Sequence, residues 1–195
     1  GYALLPLAQG PAGEDRLAEQ IRALRRSLAT DYGFLLPSVR LVDNMELDAN
    51  RYLVRIKEVE AGGGQVHPGQ FMAMHPAGDK VDLPGQAMLE PAFGMPVTWI
   101  DARHRDEAQL RGYTVVDAGS VIVTHLTEII RANMPELLTY AETQKLLREL
   151  PKDHADLVRD IVPASISATG LQRVLQALLA ERVSIRDLGA IVEAI

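Results

Sequence analysis

The sequence of 195 residues contains no cysteine, and aromatic residues make up only 5% of it. A chain without cysteine has no disulfide, no thiolate metal ligand and no cysteine nucleophile, and it fits a reducing compartment. The rest of the composition is typical of a globular protein, since 47% of the residues are hydrophobic and 24% are charged. We therefore expect one sizeable hydrophobic core or two modest ones.

Basic residues are also scarce, with 20 Lys and Arg against 26 Asp and Glu and a net charge of −6. Nucleic-acid-binding proteins usually carry a basic patch, so we predict no nucleic-acid partner. The sequence has no signal-peptide pattern, and no run approaches the roughly 20 apolar residues that a membrane-spanning helix needs. Because the chain begins at Gly1 without a methionine and stops at Ile195 within a helical pattern, we expect it to be a piece of a longer protein.

Hydrophobic spacing predicts a mixture of helices and strands. Leucine and isoleucine recur every three or four residues over 17–28, which predicts an amphipathic helix, and Gly33 is placed to end it. Alternation of apolar and charged residues predicts strands at 39–41 and 52–56. Further strands are expected at 2–8, 71–74 and 95–100, a short polar helix at 103–110, and a hairpin turn at Gly62, Gly63 and Gly64.

The segment 112–126 predicts a strand, a turn and a helix. Tyr113 to Val116 is rich in β-branched and aromatic residues, which favours a strand. Ser120 precedes an apolar series and is the residue we expect to cap the helix, and Thr124 lies one turn inside it. From Met134 onward the pattern is wholly helical, so the fold class predicted is α+β with a helical end.

Several polar residues invite a catalytic or metal-binding interpretation. His67 and His75 flank a predicted strand with Asp79 nearby, but a zinc site usually uses helical or tight loop spacing, so solvated or hydrogen-bonded histidines are favoured. A triad of Asp117, Ser120 and His125 is disfavoured, because His125 lies on a helix from which it does not easily reach Ser120. We predict that the chain is not an enzyme and binds no metal or cofactor.

Methionine and aromatic residues are concentrated between residues 72 and 99. Methionine is flexible and polarizable and is favoured on surfaces that accept several partners, but it also fills irregular cores. From spacing alone the core interpretation is favoured. The residues concerned are Met72, Met74, Met88, Phe93, Met95 and Trp99.

Four segments resemble, in order, the signatures of the FHIPEP family, and specifically its flagellar members, the large export-gate subunits of the type III secretion apparatus. The resemblance covers essentially the whole chain, and the related gate subunits of virulence injectisomes are a close alternative. The segments are LVDNMELDANRYLVRIKEVEAGGGQVHPGQFMAMHP, EPAFGMPVTWI, GYTVVDAGSVIVTHL and GLQRVLQALLAERVSIRDLGAIVEAI.

The resemblance implies a multi-subdomain cytoplasmic region of a bacterial inner-membrane protein whose spanning helices precede Gly1. Residues 1–68 and 118–137 would form a discontinuous first α/β subdomain, and residues 69–117 an inserted second one. Residues 138–195 would form a helical third subdomain, with a fourth absent. This fragment itself would be soluble and would lie at the cytoplasmic face of the flagellar basal body.

The resemblance also implies partners and a binding site. The family assembles a nonameric ring and receives export chaperones carrying late substrates at a hydrophobic seam between the first and second subdomains. The ATPase complex and a second gate subunit are further expected partners. Carried over by position, the chaperone-binding residues are Glu90, Phe93 and Thr124.

One position departs from the family's pattern. The flagellar motif typically reads Asp-Pro-Ala-Phe-Gly, whereas this chain has Glu90, which keeps the charge but changes its reach. Pro76, Val81 and Leu83 are weaker candidates for the walls of the site. A small metal-dependent hydrolase built on His67, His75 and Asp79 is the alternative of a different class.

Overall fold

The computed structural model describes residues 1–8 and 16–195 of the chain. The predicted α+β class is confirmed, since two small antiparallel sheets lie between helices that precede and follow them along the chain. The strands are β1 (Arg51–Ile56), β2 (Val59–Gln65), β3 (Gln70–Met74), β4 (Gly85–Leu89), β5 (Pro96–Asp101) and β6 (Thr114–Asp117). The helices are α1 (Leu5–Ala8), α2 (Arg16–Tyr32), α3 (Arg105–Leu110), α4 (Ala118–Ala132), α5 (Met134–Leu137), α6 (Tyr140–Arg148), α7 (Lys152–Ile161), α8 (Ala168–Ala180) and α9 (Leu188–Glu193).

The first sheet is the hairpin of β1 and β2, and its turn is not where the sequence predicted it. The chain reverses at Lys57 and Glu58, whose φ angles of 51° and 66° are the positive values that a two-residue hairpin turn requires. Gly62, Gly63 and Gly64 lie within β2, paired with Val54, Leu53 and Tyr52. The predicted turn at these glycines is therefore wrong.

The second sheet has four strands in the order β4-β5-β3-β6, all antiparallel neighbours. One of its cores contains Ala73, Val81, Ile100 and Ala108, with four partly buried side chains packed against it. The strands at 71–74 and 95–100 are confirmed within a residue, and the short polar helix is α3. The edge strand β4 was not predicted, because Pro84 and Gly85 resemble a loop.

The amino-terminal segment and the segment before β1 differ from the prediction. Residues 2–8 form a 3-10 turn and the short helix α1 rather than an edge strand, and Pro6 lies in the first turn of α1, where a missing N–H costs nothing. Residues 39–41 form no strand, and Val39 and Leu41 are exposed. Helix α2 is confirmed, and Gly33 follows it with φ of 90° and donates its N–H to Ala29.

Helix α4 begins three residues earlier than expected because its cap is Asp117 rather than Ser120. The Asp117 Oδ1 accepts from the backbone N–H of Ser120 at 2.8 Å, which is the bond an N-cap side chain makes. Ser120 thus lies inside the first turn. The predicted cap at Ser120 is wrong, whereas the predicted strand and helix on either side are confirmed.

The chain divides into two compact units, residues 1–21 with 40–129 and residues 22–39 with 130–195. The second unit is helical, and Leu171, Leu175 and Leu179 of α8 are almost fully buried, as their spacing predicted. The three-part subdomain division proposed from the sequence stays a prediction. Over residues 1–8 and 16–195, every helix is too short or too polar to cross a membrane.

Candidate functional site

The turn between β4 and β5 is built around a buried carboxylate. Glu90 is 7% exposed, and its carboxylate accepts from the backbone N–H groups of Ala92 at 2.7 Å, Phe93 at 2.5 Å and Met95 at 3.4 Å. The backbone closes the same loop, because the N–H of Glu90 donates to Met95 and the N–H of Gly94 donates to Glu90. Two short bonds to the carboxylate and two backbone bonds therefore fix the conformation of residues 90–95, and the longer contact with Met95 adds little.

This turn presents apolar side chains to solvent. Phe93 is 64% exposed although it is the largest side chain of the turn, and Leu89 and Met95 on either side of it are exposed as well. An aromatic side chain that is mostly exposed contributes little to the core. A cluster of exposed apolar side chains marks an interaction surface. The end of the β4–β5 hairpin is thus a candidate binding surface.

A buried polar pair lies beneath the turn. The Tyr52 hydroxyl and His125 Nδ1 are 2.7 Å apart and share a hydrogen bond, and the two rings meet edge to face. Burial raises the pKa of Tyr52, and the charge of Glu90 raises it further. Burial lowers the pKa of His125, against a smaller opposite effect of Glu90. The charge of Glu90 thus acts on both members of the pair.

Strand β2 brings helix α4 and the turn together. A side chain at Gly62 would meet Ile129 and His125 of α4, and one at Gly64 would meet Tyr52 and Pro91. Residues two apart on a strand face the same side and lie about 7 Å apart. The helix and the turn therefore rest side by side on one face of β2.

The remaining predicted site residues divide into surface and core. Thr124 and Pro76 are exposed, and Thr124 adjoins His125 on α4. Val81 is only 3% exposed and belongs to the core of the second sheet, and Leu83 packs against that core. Val81 is thus covered by the core side chains around Ala73, Ile100 and Ala108. The structure thus leaves Phe93, Thr124 and Pro76 accessible, whereas Glu90 and Val81 are covered.

The methionine and aromatic cluster serves both of the uses considered from the sequence. Met72 and Trp99 are buried in neighbouring strands β3 and β5, where they pair directly. Phe93 and Met95 are exposed at the turn. Spacing alone did not distinguish the buried side chains from the exposed ones, because buried strand residues and exposed turn residues lie close together in the sequence.

The histidines do not assemble a metal site. Within residues 1–8 and 16–195, no group of three or more His, Asp and Glu side chains is placed to hold a metal ion. His75 Nδ1 accepts from the N–H of Ala77 and lies 3.8 Å from Asp79, and the His67 ring packs edge to face on Trp99. The triad considered above does not form either, because His125 bonds to Tyr52.

Sequence reasoning missed Tyr52 and Gly64. The alternation of β1 predicted that Tyr52 faces the protein interior but gave no partner for its hydroxyl. Gly64 was assigned to a turn, since a run of three glycines usually marks one. The resemblance named Glu90 as a binding residue, but the sequence gave no signal that its carboxylate accepts from the amides of its own turn.

Comparisons with known proteins agree over the whole chain. The FHIPEP family model matches residues 1–195. The flagellar biosynthesis protein FlhA of Caulobacter vibrioides is 55% identical over 195 residues, and the chain spans 28% of that relative's length. The first curated relatives that match are all flagellar biosynthesis proteins named FlhA.

Solved structures show the same fold. The Chlamydia pneumoniae CdsV and CdsO complex contains a chain that matches 99% of this one and is itself covered over 56% of its length, with a TM-score of 0.79 and 22% identity. The nonameric EPEC SctV-C structure matches 92% of this chain and is covered over 54%, with a TM-score of 0.66 and 19% identity. These identities establish the fold alone. With a family model that matches every residue and a relative 55% identical, the chain belongs to the FHIPEP family.

Proposed function

We propose that this chain is part of the cytoplasmic platform of a flagellar type III export gate. In this role it binds export chaperones carrying late substrates. The sequence relatives named for flagellar biosynthesis support the flagellar assignment over the injectisome alternative. The function is one of binding rather than catalysis.

The single observation that carries the proposal is the exposed Phe93 on a turn fixed by Glu90. Binding energy at protein interfaces is concentrated in a few aromatic or arginine anchors that become buried on association. A side chain on a preorganised turn loses little backbone freedom when it binds, so more of its burial is retained as affinity. Phe93 is aromatic and 64% exposed, and it stands on a turn that the Glu90 carboxylate holds in one conformation.

Other residues take secondary roles in the proposed surface. Thr124 is exposed on α4 and has a hydroxyl for a hydrogen bond at the rim, and Pro76 adds apolar area. Glu90 acts through the turn, since its carboxylate is engaged by backbone amides. Val81 and Leu83 belong to the core of the sheet that carries the turn, and we give them no direct contact with the chaperone. The seam between the first and second subdomains is where we place the chaperone.

Assembly into a ring is a further part of the proposal. Two solved structures with this fold are described as nonameric, those of EPEC SctV-C and of the EscV cytosolic domain, and CdsV is described in complex with CdsO. We extend the nonameric ring and contact with the export ATPase complex and a second gate subunit to this chain. In this arrangement the ring would present several Phe93 turns at once, at the cytoplasmic face of the inner membrane.

The decisive experiment is calorimetric titration of the chain with a cognate chaperone–substrate complex. Phe93→Ala is expected to weaken binding by about 2 kcal/mol or more, which is roughly 30-fold, because it removes a central anchor. Leu110→Ala is the matched control, since Leu110 is an apolar side chain 89% exposed on α3 of the same compact unit. Equal affinity for wild type and Phe93→Ala would show that the chaperone does not bind at this turn.

A further inference from the structure

At Gly64 of strand β2, both Pro91 of the Phe93 turn and the Tyr52 side chain lie against the strand backbone. A Cβ at Gly64 would lie 2.8 Å from Pro91 Cβ and 2.7 Å from the Tyr52 hydroxyl, both closer than such contacts occur. Tyr52 is also the direct cross-strand partner of Gly64. Neither contact leaves room for a methyl group.

We infer that Gly64 is a positioning residue for the binding surface at Phe93, acting through Pro91 and Tyr52. Its missing side chain lets Pro91 lie against β2, and Pro91 is the first residue of the turn that Glu90 closes. On its other side, the same gap admits the Tyr52 ring, whose hydroxyl reaches His125 beside Thr124. The expected effect of Gly64 on binding rests on the proposed function, whereas its expected effect on the conformation of the turn does not.

The positive φ that often explains a glycine is absent here, because Gly64 lies in an ordinary strand conformation. A glycine inside a strand weakens it and usually marks a close approach of another part of the chain. Alanine is therefore compatible with the backbone of β2 and conflicts only with what lies against it. The rigid proline ring has no rotamer by which to move away, so the turn itself must shift.

The test compares Gly64→Ala with Gly62→Ala, a matched control on the same strand and the same face. The new methyl of Gly62→Ala would meet the flexible end of the Ile129 side chain, 2.7 Å away, and would lie in ordinary contact with His125 at 3.6 Å, but it would not meet Pro91. Amide hydrogen exchange at Ala92 and Phe93, followed by NMR, reports the turn without any ligand. Titration with the chaperone–substrate complex reports binding, and Trp99 fluorescence during urea unfolding reports the fold.

Gly64→Ala is expected to speed exchange at Ala92 and Phe93 and to weaken chaperone binding about five- to tenfold, as coupled neighbours do. In the Phe93→Ala background the same change is expected to cost little further affinity. Gly62→Ala is expected to leave both amides and binding near wild type. If Gly64→Ala alone does not fold, it is made with Tyr52→Phe, which removes the hydroxyl and retains the conflict with Pro91.

Unchanged exchange at Ala92 and Phe93 in a folded Gly64→Ala chain would overturn the positioning role, as would equal effects of Gly62→Ala. Faster exchange with affinity unchanged in both Gly64→Ala and Phe93→Ala retains the positioning role and rejects the proposed chaperone site. Faster exchange with affinity lost only in Phe93→Ala rejects the effect of Gly64 on binding. The two proposals therefore fail separately.

Discussion

Replacing Glu90 with alanine removes the group that holds the Phe93 turn. Its carboxylate makes two short bonds to the N–H groups of Ala92 and Phe93 and a third, at 3.4 Å, that is too long to count for much. Hydrogen bonds to a charged group contribute about 1.5–3 kcal/mol each. Because the freed amides of this partly exposed turn regain water, we expect the lower end of the range for each of the two short bonds, about 3 kcal/mol in total.

The matched variant is Glu90→Asp, which keeps the charge and shortens the side chain by one methylene. Aspartate accepts hydrogen bonds from the amides two and three residues on in many turns, so it is expected to cost less than about 1 kcal/mol. The free energy of unfolding is measured in urea through the fluorescence of Trp99, the chain's one tryptophan. Trp99 is 2% exposed in β5, the strand that follows the turn, so its emission reports the unit that contains Glu90.

The result that would refute this reasoning is a loss below about 0.5 kcal/mol for Glu90→Ala, the range of ordinary surface substitutions. A second refuting result is equal destabilisation by Glu90→Ala and Glu90→Asp. The first would show that the amides find equivalent partners in water. The second would show that side-chain length rather than charge holds the turn.

Three further predictions concern the same unit. Lowering the pH from 7.5 to 5.5 is expected to lower the free energy of unfolding, because burial lowers the pKa of His125 below 6.5 and the unfolded chain then binds more protons. Burial also lowers the pKa of His67, so this residue adds to the dependence of the free energy of unfolding on pH. His125→Asn, whose amide lies near the position of Nδ1, should therefore reduce that pH dependence in urea titrations without abolishing it. Asp117→Ala should cost about 1 kcal/mol as a lost helix cap and Ser120→Ala less than about 0.5, and the reverse order by thermal unfolding would contradict the assignment of the cap. Lys57→Asn with Glu58→Gly should stabilise the hairpin by about 1 kcal/mol, because both positions have positive φ; an unchanged melting temperature would count against strain there.

Periodicity predicted the elements that bury one face. Helix α2, strands β1, β3 and β5 and the leucine stripe of α8 follow from spacing, because each needs a regular apolar side to pack. Glycines, which usually mark turns, were less informative. Gly62 to Gly64 signalled a turn, but their role is to admit neighbours against a strand, and the true turn at Lys57 and Glu58 contains no glycine.

The candidate site was predicted in part by resemblance and hardly at all by local pattern. Phe93 is apolar, and nothing in its neighbourhood alone distinguishes an exposed anchor from a core residue. Glu90 is charged, which suggested an exposed contact, yet it is buried because backbone amides satisfy it. Tyr52 meets His125 across 73 positions of sequence. Contacts of that separation depend on the tertiary fold and leave no mark on spacing.

The Glu90 carboxylate accepts hydrogen bonds from main-chain N–H groups, which every residue except proline possesses. The shape of the loop is consequently independent of which side chains stand at 92, 93 and 95. Single substitutions there can exchange one exposed side chain for another while the loop keeps its form, and only proline is barred. Under the proposed function, the side chains that this loop offers to a partner can therefore change while the fold is retained.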